Sequence, residues 1–142
     1  MPYPVALITG AAHRLGAHTA ETLHARGWNA VIHYRGREQQ ARALADKLNQ
    51  QRPASAVCYH ADLTDMNQLR QLAEQACAHW GQLDALVNNA SVFYPNPTED
   101  ASEQDWDTIL GANLKAPFFL LQQCLPALKA ASGSVINMID IY

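Results

Sequence analysis

The sequence is poor in charge and in cysteine, and both shortages narrow the range of functions. Charged residues make up 16% of the 142 residues and the formal net charge is -3, so we expect no basic surface for nucleic acid. The cysteines, Cys58, Cys77 and Cys124, are odd in number and widely spaced. This spacing favours reduced, mostly buried thiols in a cytoplasmic protein over disulfides or a metal site.

Long apolar runs and a charged leader are also missing. No apolar stretch is long enough to span a bilayer, and the chain starts with Met-Pro-Tyr-Pro, so we expect no membrane partner. Hydrophobic residues nevertheless make up 49% of the chain, which is typical of a globular protein rather than a disordered one. The length suits one domain with a core, and we predict a single domain over residues 1–142.

Apolar strands alternate with amphipathic helices along the chain. Strands are predicted at residues 4–9, 29–34, 56–60, 85–87 and 135–139. Helices are predicted at residues 15–25 and 38–50, after a cap at Thr64 or Asp65, after a cap formed by Ser102 with Asp105, and through residues 114–125. This alternation predicts a Rossmann-type α/β fold, which is a doubly wound parallel sheet with right-handed crossovers.

The chain ends at Tyr142, directly after the fifth predicted strand. That strand would be an open sheet edge, and the long helix before it would lack a neighbour on one side. Open edges and exposed apolar faces are liabilities for a folded protein. We therefore expect the sheet to be truncated after its fifth strand, and the sequence to be the amino-terminal part of a longer protein.

The first strand runs directly into a turn that contains two glycines. Residues 9–16 read Thr-Gly-Ala-Ala-His-Arg-Leu-Gly. Gly10 and Gly16 would let a pyrophosphate approach the backbone and let the helix pack on the strand, and a helix N-terminus favours an anion. Arg14 stands where the middle glycine of a dinucleotide fingerprint is usual, and its guanidinium could reach a phosphate. A plain βα turn and a solvated arginine are the alternatives.

The end of the second strand lacks the acid that would bind the ribose 2′-hydroxyl of NAD. Residues 33–37 read His-Tyr-Arg-Gly-Arg, and the first carboxylate is that of Glu38. Because the forked donors of arginine pair well with a phosphate, Arg35 predicts NADPH as the cofactor. The alternative is that the arginines here only solvate a loop.

Polar residues also follow the third and fourth strands. Asp62 and Leu63 could embrace the adenine, with helix capping as the alternative for Asp62. Residues 89–91, Asn-Ala-Ser, would lie beside the nicotinamide ribose, because ligands bind at the carboxyl end of a parallel sheet. Asn113 stands in an otherwise apolar helix, where a buried amide would satisfy backbone groups or hold a water of a proton relay.

In combination, these motifs resemble the short-chain dehydrogenase/reductase family. The resemblance rests on the Thr-Gly-x-x-x-x-x-Gly turn, the Asn-Asn-Ala segment at residues 88–90, Asp62 and Asn113. The sequence is most similar to the pteridine reductases within that family. Four places carry this closer likeness over the whole chain: Arg14 with Leu15, the His-Tyr-Arg run at 33–35, Asn-Ala-Ser at 89–91 followed by Phe93, and Asn-Met-Ile-Asp at 137–140.

The resemblance implies specific roles. Asp140 would replace the serine of most short-chain reductases, and Phe93 would stack a flat pterin against the nicotinamide. Ser91 would contact both pterin and cofactor, and Arg14 would lie near the pyrophosphate and the pterin. Reduction of an imine bond also needs a proton on nitrogen, which a nearby acid could supply. A helix cap for Asp140 and a hydrophobic plug for Phe93 are the alternatives.

The predicted site thus has three groups of residues. The catalytic candidates are Asp140 and Asn113. The cofactor-binding candidates are Gly10, His13, Arg14, Leu15, Gly16, His33, Tyr34, Arg35, Asp62, Leu63, Asn89, Ala90 and Ser91. The substrate-binding candidates are Arg14, Ser91, Phe93 and Asp140.

The Tyr-x-x-x-Lys pair that completes the proton relay in the family is missing, because its place lies downstream of Tyr142. The 142 residues alone are therefore expected to have little or no activity. For the intact protein, the resemblance implies a homotetramer that reduces dihydropterins, and also dihydrofolate, with NADPH. The alternatives are a short-chain reductase of another carbonyl or quinone, and a non-catalytic nucleotide-binding module.

Overall fold

A computed structural model describes residues 2–139 as one parallel sheet between two layers of helices. The strands in this range are β1 (Val5–Ile8), β2 (Asn29–Tyr34), β3 (Ala56–His60), β4 (Ala85–Asn88) and β5 (Ser134–Asn137). They pair in the order β3-β2-β1-β4-β5, and every pairing is parallel. The predicted doubly wound α/β fold is confirmed.

The helices cover both faces of the sheet. They are α1 (Arg14–Ala25), α2 (Glu38–Gln51), α3 (Met66–His79), α4 (Glu103–Leu110) and α5 (Ala116–Ala130), with a π-helical turn at Gly111–Lys115 between the last two. Side chains alternate along a strand, so Val5 and Leu7 of β1 pack with α3 and α5, while Ala6 and Ile8 pack with α1 and α2. The three interior strands β2, β1 and β4 are buried on both faces, as parallel strands between helices are.

The helix starts differ in how they are capped. Asp65 caps α3 by accepting hydrogen bonds from the backbone N–H groups of Asn67 and Gln68, and Ser102 forms a capping box with Asp105 at α4, as predicted. The N-cap residues of α1 and α2 are His13 and Arg37, and within residues 2–139 neither side chain bonds its helix. The N–H groups at the start of α1 and α2 are therefore open to another partner.

The long apolar helix expected near residues 114–125 is interrupted. The π-helical turn adds a residue to one helical turn. Leu114 within it and Phe118 after it are both more than half exposed. Strand β5 ends two residues earlier than predicted. Its side chains are exposed, and within the described residues it pairs with β4 on one side only, as expected of an edge strand.

The expectation that the cysteines are mostly buried is wrong for two of the three. All three cysteines are free, and Cys124 is buried, but Cys58 and Cys77 are only half-buried. Across residues 2–139, no cluster of three or more His, Cys, Asp or Glu side chains could hold a metal ion. No helix in that range is long and apolar enough to cross a membrane.

Candidate functional site

A cavity of about 610 Å³ lies at the carboxyl ends of β1 to β4. The chain runs from β1 outward to β3 and then returns to pair β4 on the other side of β1. This reversal is the point where open α/β sheets bind ligands. The cavity wall includes every residue predicted to contact the cofactor: Gly10, His13, Arg14, Leu15, Gly16, His33, Tyr34, Arg35, Asp62, Leu63, Asn89, Ala90 and Ser91.

The turn after β1 needs glycine at both predicted positions. Gly10 has φ +60°, and a Cβ there would lie 3.0 Å from the Cα of Ala90. A Cβ on Gly16 would lie 2.3 Å from the Gly10 carbonyl oxygen and 2.6 Å from Nδ2 of Asn89. These contacts are with backbone or with a bonded side chain, so they leave no room for larger residues. With glycine at both positions, the backbone of the turn itself forms part of the cavity wall.

Thr9, to which the sequence assigned no role, lies buried behind the wall of the cavity and supports it. Its hydroxyl oxygen accepts hydrogen bonds from the backbone N–H groups of Asn89 and Ala90, both at 2.9 Å. The side-chain amide of Asn89 in turn donates to the carbonyl oxygens of Thr9, at 3.0 Å, and of Gly10, at 3.2 Å. These bonds tie the turn after β4 to the turn after β1. The sequence feature that could have indicated this role is a threonine placed between a buried strand and a glycine.

His33 lies in the floor of the cavity with both ring nitrogens bonded to backbone. Its Nδ1 accepts from the N–H of Gly10 at 3.0 Å, and its Nε2 lies 2.9 Å from the carbonyl oxygen of Ala61. Burial holds the pKa of His33 at about 4, below the usual 6.5, so the ring is neutral at pH 7. A neutral ring has one N–H, and the carbonyl of Ala61 requires it on Nε2.

Cationic side chains converge on the rim of the cavity. Burial lowers the pKa of His13, and the nearby charges of Arg37 and Arg14 lower it further. Arg14, the first residue of α1, and Arg37, the N-cap residue of α2, have positive φ values of +51° and +56°, which are strained for residues with a side chain and are typical of functional sites. Positive charge thus gathers at the two uncapped helix starts.

Arg35 and Asp62 face each other across this rim, with Nε 3.9 Å from Oδ2. Asp62 also accepts from the N–H and hydroxyl groups of Thr64. The Thr64 hydroxyl is the first cause of the lowered pKa of Asp62, while Arg35 contributes less. The alternative that Asp62 caps a helix is wrong, because Asp65 caps α3. Since both partners are partly exposed, their pairing is weak.

The expected buried position of Asn113 is wrong. The residue lies exposed in the π-helical turn, where its Oδ1 accepts from the N–H of Val92 at 2.9 Å and its Nδ2 donates to the Val92 carbonyl at 2.7 Å. The amide thus satisfies backbone groups of the loop after β4.

Phe93, next in that loop, is 66% exposed and so does not plug the core. Asp140 lies outside the described residues.

Comparisons with known proteins identify the family. The sequence model described as short chain dehydrogenase matches residues 4–141. Pteridine reductase 1 of Leishmania tarentolae is 34% identical over 175 residues, covering 96% of this chain and 61% of that protein. Trans-4-hydroxycyclohexanecarboxylate dehydrogenase of Sinomonas cyclohexanicum is 38% identical over 142 residues, covering 96% of this chain and 54% of that protein.

A further relative is the 3-oxoacyl-(acyl-carrier-protein) reductase FabG of Staphylococcus aureus, which is 29% identical over 137 residues. The alignment covers 96% of this chain and 55% of that protein. The chain therefore spans between 54% and 61% of the length of these curated relatives. The family match over nearly the whole chain agrees with the sheet order and with the cavity at its switch point, and the chain belongs to the short-chain dehydrogenase family.

Proposed function

We propose that the intact protein is an NADPH-dependent oxidoreductase that reduces pterins. The observation that carries the proposal is that all residues predicted from the sequence to contact a dinucleotide line one cavity. The glycine turn fits such a ligand, because a Cβ on Gly16 would collide with the backbone of Gly10 and Ala11, and a glycine at this place allows the close helix packing of a dinucleotide-binding turn. Bound NADPH would supply a hydride to a carbon of the substrate.

The phosphates would be held by the two uncapped helix starts. The N–H groups of Gly10 and Ala11 already donate to the ring and the carbonyl of His33. The first N–H groups of α1, behind His13, are then the ones that face the pyrophosphate, together with Arg14. At α2, Arg35 and Arg37 would bind the 2′-phosphate of NADPH, since guanidinium groups bind phosphate through paired donors.

The rest of the nucleotide would contact the turns after β3 and β4. Asp62 and Leu63 would bind the adenine, with the carboxylate accepting from its amino group. Residues 89–91 would hold the nicotinamide ribose, because the Thr9 hydroxyl fixes their backbone against the glycine turn.

For the substrate, we propose that Phe93 stacks on the pterin ring and that Ser91 and Arg14 bind its polar edge. Phe93 has an exposed ring one residue beyond the Val92 backbone that Asn113 holds. Asp140 would supply the proton that must reach the substrate nitrogen, and Asn113 would position a water of the proton relay. The relative named pteridine reductase 1 supports this substrate class.

A second candidate is a short-chain oxidoreductase with a different substrate. The relative from Sinomonas cyclohexanicum, at 38% identity, is named for a hydroxycyclohexanecarboxylate, and the staphylococcal relative is named for an acyl-carrier-protein substrate. This alternative keeps the nucleotide site and changes only the roles of Phe93, Ser91 and Asp140.

A substrate panel on the intact protein decides between these candidates. We expect NADPH consumption with dihydrobiopterin, dihydromonapterin and dihydrofolate, and no turnover of a simple ketone, a quinone or a 3-oxoacyl thioester. Turnover of the ketone, quinone or thioester without the pterins would contradict the substrate assignment. Nucleotide binding without any turnover would indicate a non-catalytic module.

The cofactor is tested by Arg35→Asp, which places a carboxylate where the 2′-phosphate would lie. NADPH affinity should fall by roughly 100-fold because a charge-assisted pair is replaced by repulsion, while NADH affinity should change by only a few fold. Titration calorimetry with both nucleotides measures the two values. The matched control is Arg70→Asp on α3, an exposed arginine bonded to Asn67. Equal losses for NADPH and NADH would remove the reason for naming the 2′-phosphate.

We also propose that the intact protein is a homotetramer. Helices α4 and α5 expose Trp106 and Phe118, and the π-helical turn between them exposes Leu114. Contiguous exposed apolar side chains mark interaction surfaces. Sedimentation of the intact protein measures the mass of the assembly, and a mass of one or two subunits would contradict the proposal.

A further inference from the structure

The ring of His33 bridges two turns of the cavity that are distant in sequence. Its Nδ1 accepts from the N–H of Gly10, in the turn between β1 and α1, and its Nε2 is bonded to the carbonyl of Ala61, directly after β3. The backbone carbonyl of His33 also accepts from the N–H of Ala11. One residue at the end of β2 therefore holds two successive N–H groups of the glycine turn.

We propose that His33 is a positioning residue for the nucleotide, because its Nδ1 fixes the backbone of the glycine turn while Ala61 fixes the ring. The proposal rests on the proposed nucleotide site. It assigns His33 no contact with the ligand, although the sequence predicted one. The ring instead sets the orientation of Gly10, and with it the first turn of α1.

Ala61 matters because it selects the tautomer. A neutral imidazole carries one proton, and its other nitrogen is an acceptor. With the proton on Nε2 facing the Ala61 carbonyl, Nδ1 must accept, and this suits the Gly10 N–H. The opposite tautomer would set two N–H groups against each other at Gly10 and two acceptors against each other at Ala61. The turn and the ring are therefore complementary in one arrangement only.

Two substitutions separate the two bonds. In His33→Asn, the amide oxygen takes the place of Nδ1, so the acceptor for Gly10 is kept and the bond to Ala61 is lost. In His33→Gln, the amide nitrogen takes the place of Nε2, so the donor to Ala61 is kept and the acceptor for Gly10 is lost. Each variant keeps one of the two ring bonds, and both keep the backbone bond to Ala11. They form a matched pair.

The experiment measures NADPH affinity and thermal unfolding of the intact protein and both variants. We expect His33→Gln to weaken binding by about tenfold, the effect of one hydrogen bond, and His33→Asn to stay within about threefold of the unchanged protein. Both variants should lose similar thermal stability. Equal affinities in the two variants would overturn the positioning role, because a merely structural residue lowers both alike. Failure of the unchanged protein to bind NADPH or NADH would instead overturn the proposed function.

A measurement on the unchanged protein does not depend on how the variants fold. Nitrogen-15 NMR of the imidazole at pH 7 should show Nε2 protonated and Nδ1 unprotonated, with a coupling across the hydrogen bond from the Gly10 amide to Nδ1. A proton on Nδ1 would overturn the proposal even if nucleotide binding is intact.

Discussion

Replacing Gly16 with alanine is expected to abolish measurable nucleotide binding and to lower the free energy of unfolding by about 3 kcal/mol. The added Cβ would lie 2.3 Å from the Gly10 carbonyl oxygen and 2.9 Å from the Cα of Ala11. Both are backbone atoms, so α1 and the glycine turn must move apart. Because the turn is also bonded to Asn89 and His33, that movement would displace the wall of the cavity on three sides.

The control is Gly36→Ala, on the rim of the same cavity. No heavy atom of the described chain lies within 4 Å of the Cβ that would be added there, so stability should change by less than about 0.5 kcal/mol. Urea unfolding gives the stability difference, and calorimetry gives the affinity. An unfolding free energy for Gly16→Ala equal to that of the control would show that the turn adapts, and this would contradict the packing argument.

Replacing Thr9 with valine is the second change with a large expected effect. Valine has nearly the same shape, so the substitution removes the hydroxyl and little else. The N–H groups of Asn89 and Ala90 would lose their acceptor in a site where Thr9 is only 2% exposed. These N–H groups are partly buried, so each unpaired group should cost about 1 kcal/mol, the low end of the range for buried groups, and we expect a loss of about 2 kcal/mol in the free energy of unfolding.

Thr19→Val provides the comparison for this prediction. The Thr19 hydroxyl donates to the carbonyl of Leu15 within α1 and lies toward solvent, so its removal should cost less than about 0.5 kcal/mol. Denaturant titrations of both variants give the difference. Similar values for Thr9→Val and Thr19→Val would show that the two N–H groups find other partners.

Local signals were enough to predict most of the fold. Strands β1 to β4 were predicted within one residue at each end, because their residues form short apolar runs bounded by glycine and polar residues. The cap at Ser102 was predicted, and that at Asp65 was one of two candidates with Thr64, because caps depend only on residues two or three positions away. The residues predicted to contact a cofactor line one cavity because parallel strands end at one edge of a sheet.

The features that were missed depend on distant contacts or on backbone geometry. The role of Thr9 requires β4 to lie beside β1, nearly 80 residues away. The apolar residues of the sequence read as one continuous helix across the π-helical turn, so the sequence pattern did not reveal that turn. Asn113 lies in that turn and is bonded to the backbone of Val92. The exposure of Asn113 therefore could not be inferred from its apolar neighbours in the sequence. The sequence marks Arg14 only as a replacement for a usual glycine, and nothing in it marks the positive φ of Arg37.

The contrast between the helix starts has a thermodynamic consequence. Asp65 and Ser102 cap their own helices, whereas within the described range no N-cap side chain bonds the start of α1 or α2, and of these two only α2 has an acidic residue, Glu38, in its first turn. A phosphate-bearing ligand would then pair with the open N–H groups at these helix starts. The free energy of unfolding would therefore depend on the concentration of that ligand. Saturation at 100 times the dissociation constant corresponds to about 2.7 kcal/mol. By this linkage, the nucleotide concentration would set the fraction of unfolded protein, and with it the rate at which proteases degrade the protein.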